Sequence, residues 1–518
     1  MKRFNVKYIT TPIFYVNASP HLGHAYTMLL ADVTNKWDKL KRIQTFLLTG
    51  TDEHGLKIQS TAEKLKIEPK VLVDNVSNNF KVLASKLNVN YDRFIRTTDL
   101  DHVENVINIW NLMNEKGLIY KGSHSGWYSI SDETFYPDSQ IEEVEKDGVL
   151  KKISIETRNE VMYNEETNYF FRLSKFRNDL IKFLEENPNW IKPKHRYDQI
   201  LTELKDSELN DLSISRPSSR LKWSIEVPND PNQKIYVWFD ALFNYHTFGK
   251  EINVWPPTHI IGKDIIRFHC IYWPIFLMAA DMKLPNEVIV HSHWLCDGYK
   301  MSKSLGNVID PIKTIEKYGL DTFRFFMIEN SNLNEDCKFS YDYLMNTRNL
   351  LIGKYCNLIN RIGGNKFNIE QAVQDVEKYQ KLKMNDELKA LSDELITGLN
   401  ELRCVMDEHV SNFEFNKVIQ CWWSIINKAN TLFQVAEPWK IKDEITVNYF
   451  VYLCSETIRI CSVLIQPVIP ELSTKILDRL NVNKKRRTFE YAKLNADLDY
   501  GNDANSKKHD VPMKKLHL

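Results

Sequence analysis

A chain of 518 residues is longer than a usual single domain, so two to four domains are expected. With 43% hydrophobic and 12% aromatic residues it can bury a substantial core, which excludes disorder as its default state. A formal net charge of zero neither supports nor excludes a nucleic-acid partner, because such binding depends on where basic groups cluster.

The seven residues before Tyr8 are basic but too few for a transit peptide to be expected, and they form no secretory leader. VKYITTPIFY is β-branched and aromatic and predicts a strand, with Asn17 to Pro20 as turn residues. From His21 to Leu40 the apolar positions Leu29, Leu30, Val33, Trp37 and Leu40 recur at helical spacing. TFLLTG at 45–50 predicts a second strand that runs straight into TDEHG. Strand, helix, strand opens a parallel α/β sheet, whose functional residues sit beyond the carboxyl ends of the strands.

The pattern breaks between 116 and 230 into short strand-like pieces, turns and charged loops. A buried-sheet pattern resumes with KIYVWFDALF (234–243), THIIGKD (258–264) and EVIVHSHWL (287–295). The expected fold class is therefore α/β. A Rossmann-type parallel-sheet domain is split over 1–115 and 231–296, and a domain is inserted at 116–230. CIYWPIFLMAA at 270–280 is too short to span a bilayer and reads as a buried helix, so no membrane partner is expected. Residues 297–346 read as a loop and linker region and 347–495 as an α-helical bundle. From 481 to 518 there are nine Lys or Arg against five Asp or Glu, and 496–518 is expected to be an exposed, partly mobile basic tail.

Eight cysteines stand between 270 and 461, none in a CxxC pair. Neither a disulfide framework nor a thiolate zinc site is expected, and the usage fits a reducing compartment.

HLGH at 21–24 sits where the first strand turns into the first helix. Two imidazoles three residues apart fall on one face of the opening turn, where they and the free helix N–H groups can donate to phosphate oxygens. Gly23 lets a flat ring approach the backbone, and Pro20 stiffens the turn. KMSKS at 300–304, flanked by Gly298 and Gly306, reads as a basic loop. Lys300 and Lys303 can neutralise charge on a departing pyrophosphate. Alone, a histidine pair near a cap or a Lys/Ser loop is ordinary surface; together, each after a buried strand, they are far more specific.

The pair resembles the class I aminoacyl-tRNA synthetases, whose hallmarks are HIGH-like and KMSKS motifs. Within that class TTPIFYVNASPHLGHAYT, TGTDEHGLKI, YVWFDALFNY, IIGKDIIRFH, DGYKMSKSLGNVIDP and AEPW look like the blocks of the methionyl-tRNA synthetases, in the right order. GWYSISDETFYP and ETNYFFRLS look most like the mitochondrial form, in particular the fungal one. The resemblance implies that methionine attacks the α-phosphate of Mg²⁺-bound ATP to give methionyl-adenylate and pyrophosphate. The terminal ribose hydroxyl of tRNA(Met) then takes the methionyl group.

The resemblance also assigns residues. His21, His24, Lys300 and Lys303 would be catalytic. Gly23, Gly262, Asp264, His291, Trp294 and Leu295 would complete the ATP site. Asp52 would hold the methionine ammonium, and Ile13, Tyr15, Trp238, Ala241, Leu242, Tyr245, Ile265 and His269 the thioether, which needs an apolar, polarizable cage. In the helical domain Asn357, Arg361 and Trp439 would read the anticodon by hydrogen bonding and stacking. KKRR at 484–487 is the remaining candidate for phosphate contact.

Many relatives carry cysteine zinc knuckles in the inserted, connective-peptide domain. Here Ser129 and Asp132 stand where cysteines would, so no structural zinc is expected. The chain stops soon after the bundle, with no room for a dimerisation domain, so a monomer is expected. The implied compartment is the mitochondrial matrix, with the cytoplasm as the alternative. Rival readings are a synthetase for another apolar amino acid, a nucleotidyltransferase sharing the HxGH turn, and an inactive RNA-binding scaffold. The lack of room for an editing domain argues against isoleucine, valine and leucine in the first, and the absence of a zinc-binding cysteine near the first strand against cysteine. Chain length argues against the second, and intact HLGH and KMSKS against the third.

Overall fold

The computed structural model describes residues 6–130, 134–146, 149–296, 299–301, 307–506 and 510–516. The chain opens with strand β1 (Lys7–Tyr15), helix α1 (Leu22–Leu40), strand β2 (Thr45–Asp52), helix α2 (Pro69–Lys86), strand β3 (Arg93–Arg96) and helix α3 (Leu100–Glu115). Three further strands, β4 (Ile191–Lys192), β5 (Thr258–Gly262) and β6 (Glu287–His291), complete a sheet of order β3-β2-β1-β5-β6-β4. Every pairing in it is parallel. Both faces of β1 and β2 are buried, as parallel strands covered by helices require. The threonines among them are satisfied internally: Thr11 Oγ1 donates to Thr49 Oγ1 at 2.8 Å, and Thr10 Oγ1 lies 2.6 Å from His259 Nδ1. From β1 the chain winds outward to β2 and β3, and later to β5 and β6 on the other side. A crevice therefore opens beyond the carboxyl ends of β1 and β5, the usual ligand position in such sheets.

Two expectations about this half need correction. The sixth strand, β4, comes from inside the segment 116–230 assigned to the insertion. The run 234–243 is not one buried strand. Asp230–Ile235 belongs to a separate three-stranded sheet, and Val237–Leu242 is a helix with five of its residues buried. A short continuous apolar run looks the same in either conformation. The run 270–280 is the expected buried helix, with Trp273, Ile275, Phe276 and Leu277 fully enclosed. The insertion is otherwise built on a long antiparallel hairpin, Ile119–Ser129 against Met162–Phe171.

The second half is helical: α4 (Leu320–Glu329), α5 (Asn357–Ile362), α6 (Asp386–Ser411), α7 (Phe415–Ala436), α8 (Glu444–Ile465) and α9 (Pro470–Arg479). The expected boundary at 346/347 falls inside an unbroken helical run from Tyr341 to Ile362. Helix α8 is buried all round from Asn448 to Ile465, so it forms the axis of the bundle. Its buried Glu456–Arg459 pair accepts the Tyr500 hydroxyl at 2.9 Å and donates to the carbonyls of Tyr491 and Lys493. This corrects the expected exposed tail in part: Asp499, Asn502, Asp503 and Lys514 are exposed, but the segment is anchored. Tyr500 and Ala504 are buried, and Asn505 Nδ2 donates to the carbonyl of Ile362 at 3.0 Å.

The two halves share one hydrophobic core, which runs from Ile9 through α1 to α8. At their junction Arg324 of α4 is fully buried. Its guanidinium donates to Asp32 Oδ2 of α1 at 2.8 Å, to Leu87 O at 2.6 Å, and to Pro467 O and Val468 O at 2.6 and 2.9 Å. Farther along α1, Trp37 Nε1 and Lys41 Nζ both donate to Asp407 of α6, at 2.8 and 2.7 Å. Among the described residues no helix is long and apolar enough to cross a membrane.

Candidate active site

His21 is the N-cap of α1. Its Nδ1 accepts the backbone N–H of Gly23 at 3.1 Å, and His24 Nδ1 accepts the backbone N–H of His21 at 3.1 Å. This reciprocal pair is a capping box made of histidines. An Nδ1 that accepts places the ring proton on Nε2, so both rings turn an Nε2–H donor away from the backbone. The rings stack at 3.8 Å, and His24 also packs edge-on against Phe14 and Phe80. Burial, and next the neighbouring His21 ring, hold the His24 imidazole neutral, well below its ordinary pKa. A Cβ on Gly23 would stand 3.0 Å from His21 Cε1. The flat ring that needs this glycine is thus the protein's own.

A cavity of about 550 Å³ opens beside this turn, beyond the ends of β1 and β5. It is lined by His21, Gly23, His24, Gly262, Asp264, His291 and Trp294 on the side expected to take ATP. Leu295 is the exception. It sits in a small sheet between Lys300 and Lys338, on the strand face opposite Trp294, and does not line the cavity. His291 donates from Nδ1 to Ser292 O at 2.9 Å and so offers Nε2 as acceptor to the Thr27 hydroxyl at 2.8 Å. Burial lowers its pKa to about 4, which keeps it neutral. Burial opposes ionisation of Asp264, but the hydrogen bond and charge of His293 hold its carboxyl well below the usual range. A Cβ on Gly262 would lie 2.6 Å from Asp264 Oδ1, so a larger residue there would have to displace that carboxylate.

The same cavity is lined by Asp52, Ile13, Tyr15, Trp238, Ala241, Leu242, Tyr245, Ile265 and His269, so every residue expected around methionine is gathered. Asp52 ends β2 directly opposite Tyr15 of β1 and is buried. His269 donates from Nδ1 to Ile265 O at 3.0 Å, which leaves Nε2 to accept the Tyr245 hydroxyl at 2.7 Å. Burial takes His269 down to about 4 and pushes the Tyr245 phenol up. Trp238 stacks on Phe268 at 3.5 Å. The result is an apolar, aromatic floor whose polar groups are neutral and already bonded.

Several residues of the site were missed in the sequence. Thr27 and Lys57 also line the cavity. Behind it, Glu53 forms a two-point ion pair with Arg96 at 2.6 and 2.9 Å. Asp240 bridges His54 at 2.6 Å and His102 at 2.7 Å. Asp240 thereby ties the helix carrying Trp238, Ala241 and Leu242 to the loop that follows Asp52. The TDEHG run was a signal for Glu53 and His54; their partners are too distant in sequence to be paired by inspection.

Of the basic loop, Lys303 lies outside the described residues, and only the backbone of Lys300 is described, paired with Leu295. Met301 lines the cavity. Ser129 closes the long insertion strand, and Asp132 lies outside the described residues.

In the helical half, Arg361 lies 5.6 Å from the Trp439 ring centre and 4.7 Å from that of Phe433, and Arg361 Nη2 donates to Gln434 Oε1 at 2.9 Å. Asn357 is exposed one turn earlier on α5. The three expected anticodon residues therefore adjoin, with Phe433 and Gln434 as unforeseen neighbours. The 484–487 run is half absorbed. Arg486 pairs with Asp497 and Asp499, and Arg487 with Asp478, which leaves Lys484 and Lys485 as its remaining phosphate-contact candidates.

Residues 7–363 match the family model described as tRNA synthetases class I (M), and residues 382–515 match the anticodon binding domain of methionyl tRNA ligase. The chain is 60% identical to a protein of Candida albicans named methionine–tRNA ligase, mitochondrial, over 98% of this chain and 96% of that one. It is 46% identical to the protein of the same name from Saccharomyces cerevisiae, over 99% and 96%. Among solved structures, Mycobacterium tuberculosis methionyl-tRNA synthetase bound by methionyl-adenylate superimposes with a TM-score of 0.85. That match has 34% identity and covers 94% of this chain and 96% of that one.

Proposed function

The chain belongs to the methionyl-tRNA synthetase family, and on that premise we propose how its residues divide the work. It is a mitochondrial methionine–tRNA ligase that uses ATP to activate methionine and passes the methionyl group to tRNA. The methionine carboxylate oxygen bonds to the α-phosphorus as the bond to pyrophosphate breaks. The terminal ribose hydroxyl then attacks the methionyl carbonyl and AMP leaves.

In this reading Asp52 holds the substrate ammonium. Ile13, Tyr15, Trp238, Ala241, Leu242, Tyr245, Ile265 and His269 enclose the thioether. The Nε2–H groups of His21 and His24, aided by the N-terminus of α1, donate to the phosphate oxygens on which charge accumulates, and Lys300 and Lys303 neutralise the leaving pyrophosphate. Gly262 and Asp264 meet the ribose, and His291 and Trp294 the adenine. Magnesium accompanies ATP and screens its phosphates. The neutral lining of the thioether pocket fits methionine, since a cationic histidine there would favour an anionic side chain. Asn357, Arg361 and Trp439 meet the unstacked anticodon bases. No structural zinc and a monomeric chain complete the proposal.

The observation that supports this most is the one cavity in which Asp52, the apolar cage and the paired histidines converge. The test is ATP–pyrophosphate exchange with each of the twenty amino acids, without tRNA. Exchange with methionine alone is expected; exchange with another amino acid would overturn the pocket assignment, and none at all the activation chemistry.

A further inference from the structure

Among the described residues that line the active-site cavity, Lys57 carries the one lysine or arginine charge. Asp52 and Asp264 bring two carboxylates to the same walls, and the histidines His24, His269 and His291 are held neutral by burial. Methionine enters as a zwitterion. Once its ammonium rests on Asp52, its carboxylate stands in a half-enclosed space that also holds the Asp264 carboxylate, and a low-dielectric wall makes that costly without a cation opposite.

Lys57 stands where such a cation is needed. Gly55, at φ 116°, turns the chain out of the β2 end, and its N–H is anchored to Trp223 O at 3.0 Å. The helix Leu56–Leu65 then begins at once, which puts Lys57 in its first turn, five residues after Asp52. The Lys57 ammonium lies 5.9 Å from the centre of the Tyr15 ring, and Tyr15 is the residue opposite Asp52 in the β1–β2 register. Asp52, Tyr15 and Lys57 thus occupy one end of the cavity. The α-amino and α-carboxylate groups of an amino acid, separated by a single carbon, could meet the first and last of them together.

We infer that Lys57 pairs with the carboxylate of the bound amino acid, so that Asp52 and Lys57 grip the two charged groups common to all amino acids while the aromatic cage reads the side chain. The inference rests on the assignment of this cavity to methionine. It gives Lys57 a role in orienting the attacking oxygen and leaves pyrophosphate to the groups at the α1 turn and the basic loop.

L-Methioninol separates the possibilities, because it keeps the ammonium and thioether but has a hydroxymethyl group in place of the carboxylate. Its binding and that of L-methionine are measured by calorimetry on wild-type protein, Lys57→Met and Lys57→Arg. Lys57→Met is expected to weaken methionine by roughly tenfold or more, the loss of a charge-assisted hydrogen bond, and methioninol by less than about twofold. Lys57→Arg is expected to recover most of the methionine affinity. Equal weakening of both ligands would make Lys57 a support for Tyr15 and overturn the pairing, as would unchanged binding of both. Wild-type protein that bound neither ligand would overturn the methionine assignment itself, and the inference with it.

Discussion

Replacing Gly23 by alanine tests the histidine capping box at its tightest point. The new methyl would stand 3.0 Å from His21 Cε1 and 3.2 Å from Nδ1, so the ring must withdraw by a few tenths of an ångström and its bond to the Gly23 N–H must loosen. Two stability terms oppose each other. A weakened cap costs about 0.5–2 kcal/mol, and alanine in place of glycine in a helix returns up to about 1 kcal/mol. The net change therefore lies between about 0.5 kcal/mol of stabilisation and about 2 kcal/mol of cost, a shift of a few degrees in melting temperature. Activity has no such offset. Complete loss of a preorganised donor costs about 10²–10³ in rate, and a displaced donor is expected to cost about 10- to 100-fold. The assay is kcat for methionine-dependent ATP–pyrophosphate exchange beside a thermal melt. Wild-type exchange by a normally folded Gly23→Ala protein would refute the argument that this ring position matters. Destabilisation beyond about 3 kcal/mol would show that the glycine serves the fold instead.

Trp439→Ala is expected to lower kcat/KM for tRNA charging by about 5- to 100-fold, the value of one base stack, with exchange in the absence of tRNA within about twofold; a parallel fall in both reactions would make Trp439 a folding residue. Burial lowers the pKa of His269 and His291 from 6.5 to about 4, so between those values the unfolded chain binds more protons and stability falls with falling pH, by an amount on the order of 3 kcal/mol for each. Urea unfolding from pH 7.5 to 4.5 should show the loss, with a shallower slope in His291→Gln. Arg324→Met is expected to cost about 3–5 kcal/mol in chemical denaturation, because it leaves Asp32 and three backbone carbonyls without their shared donor; a change below about 1 kcal/mol would contradict that. Metal analysis of the purified protein should find zinc well below one ion per chain, and one tightly held ion would refute the reading of Ser129 and Asp132.

Local pattern made some of this legible and long-range pairing hid the rest. The helix from His21, the strand into Asp52 and the turn between them follow from spacing within twenty residues, and the structure forms them as read. The residues proposed to surround methionine came from motif resemblance, since nothing in the spacing of Ile13, Asp52, Trp238 and His269 says that they meet. Asp240 reaches His54 across 186 positions and His102 across 138, so its role was invisible although all three residues were in view. The segment 234–243 was misjudged because a brief apolar run does not distinguish strand from helix. The anchoring of the tail was not legible because it rests on isolated buried positions, Tyr500 and Ala504, in a stretch that is otherwise polar and largely exposed.

The catalytic half cannot be regarded as a module to which an RNA reader was added. Arg324 finds half of its acceptors, the carbonyls of Pro467 and Val468, beyond the end of α8, while the other half lie beside α1 and α2. A chain cut at residue 346 would keep a guanidinium shaped for a niche that no longer exists, and α1 would lose Asp407, the seat of Trp37 and Lys41. Inheritance follows from this. The two halves must change together at the junction, and grafting one onto a distant relative's counterpart should fail there first, before any contact with RNA is tried.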